Sequence, residues 1–439
     1  MGLRISVIGT GYLGATHAAG LAELGHEVIG VDTDATKVSV LSAGRVPFYE
    51  PGLEDMLARH VGSGRLRFST SVSDAAKFAD VHFICVGTPQ RLGSHSADLS
   101  AVEGALDSLG REVDRSCLVV GKSTVPVGTA ERLASRLGEL VSGDHDVELA
   151  WNPEFLREGH AVEDTLRPSR IVVGVQSASA EQKLRTVYAG PLADGAPVVV
   201  TDLATAELTK VAANSFLATK ISFINAMAEL CEVTGADVVA LADAIGYDPR
   251  IGRSYLNAGL GFGGGCLPKD IRAFMARAGE LGVDQALTFL REVDAINMRR
   301  RHRMVELAHQ ECDGNVLGKR IAVLGVAFKP ESDDVRDSPA LNVAAQLQLQ
   351  GAHVCIYDPQ ANANAKRMFP TLRYADDLTM AVQDADLVLH LTEWHEFRTM
   401  DPELVGKMVA KKRILDGRNA LDPDRWRAAG WSYRALGRP

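Results

Sequence analysis

The chain has 439 residues, 46% of them hydrophobic and 23% charged, which is too long for one core and ordinary for a globular protein of two or three domains. A formal net charge of -9, with no basic block beyond Arg299-Arg-Arg-His-Arg303, argues against a nucleic-acid partner. No apolar run approaches the ~20 residues of a membrane span.

The start Met1-Gly-Leu-Arg-Ile-Ser-Val-Ile-Gly9 enters a strand directly, without a signal peptide, so a cytoplasmic location and no membrane association are expected. Cysteines 85, 117, 231, 266, 312 and 355 lack CxxC spacing, and the histidines lack ligand spacing. Neither a disulfide framework nor a metal site is expected; all the cysteines but Cys266 read as packing residues, and Arg299–Arg303 reads as one solvated helix face.

Arg4-Ile-Ser-Val-Ile-Gly9 reads as a buried strand, and Gly9-Thr-Gly11-Tyr-Leu-Gly14 then opens a helix over Ala15–Leu24. A second strand, Glu27–Val31, ends at Asp32. In that order the parts form a dinucleotide fingerprint: the glycines admit a pyrophosphate to the helix N-terminus, and the acid accepts from a ribose hydroxyl. Asp32 is followed by Thr33-Asp34 and no arginine, so NAD is expected over NADP. Further strands are expected at Val81–Val86, Ser116–Val120 and Val147–Ala150, and in a parallel sheet their carboxyl ends would place Thr88 and Thr124 toward the cofactor. On the same rim lies Asn152-Pro-Glu154-Phe-Leu-Arg-Glu158-Gly159, where two acids four apart can share a helical face.

Leu203–Gly235 has no proline and carries apolar residues on nearly every side, including Leu208, Phe216, Ile224 and Leu230. It predicts a long buried spine helix shared between domains and with a second subunit. Lys210 and Asn214, four apart on it, form a donor pair suited to an alkoxide or oxyanion.

Arg250-Ile-Gly252 precedes Gly259-Leu-Gly-Phe-Gly-Gly-Gly-Cys-Leu-Pro-Lys-Asp270. Glycines without Cβ atoms let such a loop lie flat against a bulky ligand. Pro268 fits the first turn of a following helix, so Cys266 would sit at its N-terminus, where the dipole and Lys269 favour the thiolate. A helix over Leu290–His309 and a linker at Gly314–Gly318 follow. From Lys319 the opening pattern repeats: Arg320–Gly325, a helix at Leu341–Leu349, Gly351, then Val354–Asp358. Ala327-Phe328-Lys329 replaces the glycines, so a nucleotide other than a dinucleotide is expected there, with the aromatic along a sugar or base and the lysine toward phosphate.

The string G-F-G-G-x-C-L-P-K-D at 261–270, with N-P-E-F-L-x-E-G at 152–159, E-L-x-K-x-x-x-N at 207–214 and F-K-P-x-x-D-D-V-R at 328–336, resembles the nucleotide-sugar 6-dehydrogenases of the UDP-glucose/GDP-mannose dehydrogenase family. The resemblance covers nearly the whole chain. It implies an α/β protein of two Rossmann-like doubly wound domains, 1–202 for NAD and 315–439 for the nucleotide sugar, joined by a central helical domain, 203–314, with the spine helix and the cysteine loop. The implied reaction is the four-electron oxidation of UDP-glucose to UDP-glucuronate, with GDP-mannose or another nucleotide sugar the alternative substrate.

Carried over by motif, Cys266 is the nucleophile, Lys210 and Asn214 stabilise oxygen charge, Asp270 and Glu154 handle water and protons, and Thr124 positions a water or the nicotinamide. Gly9, Gly11, Tyr12, Leu13, Gly14, Asp32, Lys37, Thr88, Thr124, Glu158 and Arg336 would bind NAD. Glu154, Phe155, Leu156, Lys210, Asn214, Arg250, Tyr255, Asn257, Gly263, Phe328, Lys329 and Arg418 would bind the sugar nucleotide, with Arg250 reaching a neighbouring subunit of a homodimer or higher homo-oligomer. Gly265 departs from many relatives, which carry a side chain before the cysteine. A hydroxyacid dehydrogenase would share only the first fingerprint and need no Cys266, and a non-catalytic scaffold would need none of these sets.

Overall fold

The computed structural model describes residues 2–141, 143 and 145–438. They fall into two compact units, one within residues 2–213 together with 272–282 and the other within 214–271 together with 283–438.

The first unit is built on an eight-stranded sheet of β1 (Arg4–Ile8), β2 (Glu27–Val31), β3 (Leu66–Ser69), β4 (Val81–Ile84), β5 (Cys117–Gly121), β6 (Val147–Trp151), β7 (Ile171–Gly174) and β8 (Val198–Thr201), in the order β3-β2-β1-β4-β5-β6-β7-β8. Its first six strands are parallel and follow the dinucleotide-binding order 3-2-1-4-5-6; β7 joins antiparallel. Alternation along the strands divides the core into two layers. Ile5 and Val7 pack with Ala15, Ala18 and Leu21 on one face, while Ile8 packs with Val102, Leu106 and Leu133 on the other. The fingerprint helix, Tyr12–Glu23, begins three residues before the predicted Ala15, because the glycine turn is itself its first turn.

The second unit carries a six-stranded sheet of β9 (Arg320–Leu324), β10 (His353–Tyr357), β11 (Arg373–Tyr374), β12 (Leu387–His390), β13 (Arg413–Asp416) and β14 (Ser432–Ala435), ordered β11-β10-β9-β12-β13-β14 and parallel throughout. This is the same 3-2-1-4-5-6 order, so the repeated opening sequence does build a repeated fold. The copies match at the turn as well: the Gly9 N–H donates to Val31 O at 2.7 Å and the Gly325 N–H to Tyr357 O at 2.8 Å, with φ of 89° and 90°. Both angles lie where only glycine is unstrained.

The long helix runs Leu203–Thr234 as expected. Its apolar surface is not buried all round: within the second unit Phe216, Phe223, Leu230 and Val233 form an outward stripe, with Phe216 67% and Val233 80% exposed. Arg299–Arg303, expected as a solvated face of the helix Phe289–Glu311, is also different. Arg300 and Arg301 are 0% and 3% exposed. The Arg300 guanidinium donates to Glu232 on the long helix at 2.9 Å, and Arg301 to Asp337 at 2.8 Å. A run of like charges had hidden two inward positions, each supplied with an acid from a segment distant in sequence. Four of the other five cysteines are buried and Cys355 is half-buried, while Cys266 is exposed. Among the described residues no helix is long and apolar enough to cross a membrane, and no cluster of His, Cys, Asp or Glu could hold a metal.

Candidate active site

In the first unit the glycine turn makes an open cradle at the N-terminus of the helix Tyr12–Glu23. A Cβ on Gly14 would overlap the Gly9 carbonyl, so Gly14 serves close packing of helix on strand. A Cβ on Gly11 would meet no protein atom within 4 Å, so its absence leaves free space that would admit a pyrophosphate to the helix N-terminus. Leu13 packs partly buried against the core beneath. At the end of β2, Asp32 accepts from the Thr10 N–H at 2.9 Å, the Asp34 N–H at 3.0 Å and Lys37 Nζ at 2.8 Å. Burial pushes this carboxyl upward, but Lys37 and the backbone donors outweigh it and hold the group below the ordinary value. A ribose hydroxyl suits this acid; a 2′-phosphate would meet its charge. These residues fit NAD.

Glu50, which sequence reasoning missed, ties this turn to the Glu158 loop. Its carboxylate accepts from the Tyr12 hydroxyl, from the Gly159 N–H at 2.6 Å and from the Ala161 N–H at 2.7 Å. Within Tyr49-Glu50-Pro51-Gly52 nothing marks this acid as buried, so the sequence carried no signal for it.

The carboxyl ends of β4, β5 and β6 are stitched side to side. Thr88 Oγ1 donates to Thr124 O at 2.8 Å, Ser123 Oγ to Val86 O at 2.7 Å, and Lys122 Nζ to Asn152 Oδ1 at 3.0 Å. Beside them Glu154 accepts from Lys210 Nζ at 2.8 Å and from the Leu156 N–H at 2.6 Å. The Phe155 ring lies 5.5 Å from Lys210 Nζ and 3.8 Å from the Arg170 guanidinium. One turn before Lys210, buried Glu207 accepts from the Gly128 and Ala130 N–H groups at 2.7 and 2.6 Å. It thereby caps the helix Thr129–Leu140 that follows the Thr124 loop; burial pushes its carboxyl up to about 7. Thr88, Thr124, Glu154 and Lys210 are thus assembled in one unit, bonded in pairs and braced by Lys122, Ser123, Asn152 and Glu207.

In the second unit Cys266 lies exposed immediately before the helix Leu267–Glu280, and its carbonyl accepts the Asp270 N–H at 3.0 Å. Asp270 is buried, taking Asn214 Nδ2 on one oxygen at 2.7 Å and Lys269 Nζ on the other at 2.5 Å. The glycine loop in front of Cys266 is pinned from three sides. Asn297 Oδ1 accepts the Phe262 N–H at 2.7 Å and its Nδ2 donates to Phe262 O at 3.0 Å. Cβ atoms on Gly263, Gly264 and Gly265 would overlap, in turn, the Asp337 carbonyl, the Phe328 ring and the Arg336 guanidinium. The space a side chain at 265 would need is filled by the flexible end of Arg336, whose guanidinium pairs with Asp334 at 2.7 Å.

Arg418 joins the same loop to the segments that follow β9 and β12, donating to Gly261 O at 3.0 Å, Phe328 O at 3.1 Å and Leu391 O at 2.7 Å. Lys329 Nζ lies 5.7 Å from the Phe328 ring. Asp358, the counterpart of Asp32, is consumed: it accepts from the Val326, Ala327, Gln360 and Ala361 N–H groups and Trp394 Nε1 at 2.7–3.2 Å and is buried. No oxygen of it remains for a ribose, in keeping with the missing glycines. Arg250 lies on an exposed turn, paired with Asp248 at 2.6 Å. Tyr255 is partly exposed at φ 65°, and Asn257 accepts from Arg253 at 2.7 Å.

Comparison with known proteins matches three successive stretches of the chain. Models of the UDP-glucose/GDP-mannose dehydrogenase family match its NAD binding domain at residues 3–191, its central domain at 204–299 and its UDP binding domain at 322–423. The UDP-glucose 6-dehydrogenase of Rhizobium meliloti (strain 1021) is 40% identical over 439 residues, covering 100% of each chain. The solved UDP-glucose dehydrogenase of Pyrobaculum islandicum is 39% identical with a TM-score of 0.91, covering 100% of this chain and 98% of that one. A GDP-mannose dehydrogenase structure from Pseudomonas aeruginosa is 29% identical with a TM-score of 0.54, covering 99% and 100%. With an open dinucleotide cradle, a second Rossmann-like sheet stripped of that cradle, and full-length similarity, the chain belongs to the UDP-glucose/GDP-mannose dehydrogenase family and is an NAD-dependent oxidoreductase.

Proposed function

We propose that the protein oxidises the C6 alcohol of UDP-glucose to the carboxylate of UDP-glucuronate, removing four electrons through a covalent intermediate on Cys266. The observation that carries the reading is Cys266 itself, exposed behind a close-pinned glycine loop, with buried Asp270 one turn further on. UDP-glucose is favoured over GDP-mannose by the higher identity and TM-score of the UDP-glucose relative.

When bound, NAD accepts a hydride in each of two successive oxidations. Gly11, Gly14, Asp32 and Lys37 would hold it, with Thr88, Glu158 and Arg336 contributing. In the first oxidation the C6 hydroxyl gives up its proton and C6 a hydride, leaving an aldehyde whose oxygen charge Lys210 and Asn214 stabilise. Cys266 sulfur then bonds to C6, and the thiohemiacetal oxygen takes a proton. Loss of that proton and a second hydride from C6 leaves a thioester. Water, activated through Asp270 or Glu154, attacks C6; the C–S bond breaks, the sulfur regains its proton and the acid departs. Thr124 positions the water or the nicotinamide side. Phe328, Lys329 and Arg418 grip the UDP-sugar together with Gly263, Tyr255, Asn257 and the Phe155-Leu156 backbone.

In this reading the chain is organised as an NAD domain (1–202), a central helical domain (203–314) and a UDP-sugar domain (315–439). It acts in the cytoplasm, where a thiol stays reduced, as a homodimer joined along the long helix, with Arg250 reaching the partner's substrate. The test is to incubate the protein with NAD and a panel of UDP- and GDP-sugars and count NADH per sugar consumed. Two NADH with UDP-glucose is expected; a single NADH, or preference for a GDP-sugar, contradicts the assignment.

A further inference from the structure

Lys122 follows β5 and is buried, its backbone N–H fixed to Ile84 O at 2.9 Å. Its ammonium donates to Asn152 Oδ1 at 3.0 Å and lies 5.9 Å from the Tyr188 ring. That amide oxygen does not depend on the lysine, because the Tyr188 hydroxyl also donates to it at 2.5 Å, and Asn152 Nδ2 is held by Val172 O at 2.7 Å. The charged and titratable groups facing the ammonium are Cys85 after β4, Glu154 after β6, Lys210 on the long helix and His17 on the fingerprint helix. Burial pulls the lysine down to about 8, with Cys85 and Glu154 opposing.

A cation in such a place costs stability, and the acceptor it binds would be satisfied without it. What it does instead is join two strand ends. Lys122 stands two residues before Thr124 and Asn152 two before Glu154, so their bond spans the roots of both loops.

We propose that Lys122 is a positioning residue for the oxidation, holding the Glu154 and Thr124 loops in register through Asn152 and placing a fixed positive charge behind them. This rests on the roles given above to Glu154 and Thr124. It assigns a function to a buried group that takes no part in the chemistry itself.

The test uses the full chain with UDP-glucose and NAD, comparing Lys122→Met and Lys122→Arg with the parent for kcat, both KM values, pH profile and melting temperature. Lys122→Met should fold with an unchanged or higher Tm, keep both KM values within about threefold, and lose about 100-fold in kcat, the scale of a small misplacement of the reacting groups. The parent should lose activity as pH rises through about 8, where the ammonium deprotonates. Lys122→Arg, which stays charged, should retain more activity than Lys122→Met and lack that alkaline limb. Unchanged kcat and pH profile in Lys122→Met would overturn the proposal. A Tm that falls together with activity would also overturn it, by making the lysine structural. Failure of the parent to reduce NAD with any sugar would instead sink the functional reading beneath it.

Discussion

Asn214 Nδ2 donates to Asp270 Oδ2 at 2.7 Å, while Lys269 Nζ occupies the other oxygen at 2.5 Å. A buried carboxylate is therefore oriented from both sides, one turn beyond Cys266. Asn214→Ala would remove one donor from that buried oxygen and one oxyanion partner from the proposed reaction. We expect kcat to fall about 100-fold, the scale of one lost oxyanion donor, with KM for UDP-glucose nearly unchanged. Steady-state kinetics at saturating NAD check this; a rise in KM alone would show that Asn214 only binds substrate.

In the proposed reading Asp32 selects NAD over NADP. Its carboxylate is positioned by Thr10, Asp34 and Lys37 and held below its ordinary pKa. Asp32→Ser removes the charge that repels a 2′-phosphate and leaves Lys37 to attract one. Close like charges repel by about 1–4 kcal/mol at protein surfaces, so the ratio of kcat/KM for NAD over NADP should drop at least about tenfold. An unchanged ratio would show that discrimination lies elsewhere.

Lys122 makes stability depend on pH in a predictable direction. Its folded-state pKa is about 8 against an ordinary 10.5, so between those values the unfolded chain binds more protons and stability rises with pH. Below pH 8 the full cost is present, about 3 kcal/mol for a shift of this size. Because buried thiols such as Cys85 and Cys117 are pushed up and lower stability as pH rises, the difference between the two chains is the readout: chemical denaturation should show Lys122→Met the more stable at pH 7, with the gap narrowing toward pH 10.

Phe216, Phe223, Leu230 and Val233 leave an apolar stripe on the long helix open to water. If a second copy covers it, as proposed, Phe216→Asp with Phe223→Asp places two charges in that interface, each costly to bury unpaired. Light scattering should then report monomers where the parent gives dimers. Equal masses would move the interface elsewhere.

Much of the architecture was legible because it is periodic. The strand–glycine–helix–strand grammar announced both sheets, and Leu203–Thr234 was visible as a proline-free apolar run. The residues named by motif also fall into local groups: Glu154 with Lys210, Asn214 with Asp270, and Arg418 with the glycine loop. The hidden part consists of single polar residues whose partners lie far along the chain. Glu50 meets Gly159 and Arg301 meets Asp337, and in neither case does the local sequence mark the charge as buried. Burial of a lone charge is a tertiary fact with no period, so the solvated reading of Arg299–Arg303 failed at two positions.

The central claim is a bond between Cys266 sulfur and C6 of the sugar. It is tested most directly by mixing the enzyme with UDP-glucose and excess NAD, quenching in acid within the first turnovers, and mapping the protein by mass spectrometry. A sugar-nucleotide adduct on the peptide containing Cys266, absent without NAD and absent in Cys266→Ser, is predicted. Oxidation to UDP-glucuronate at full rate by Cys266→Ser, or turnover with no adduct on that peptide at any quench time, would contradict it.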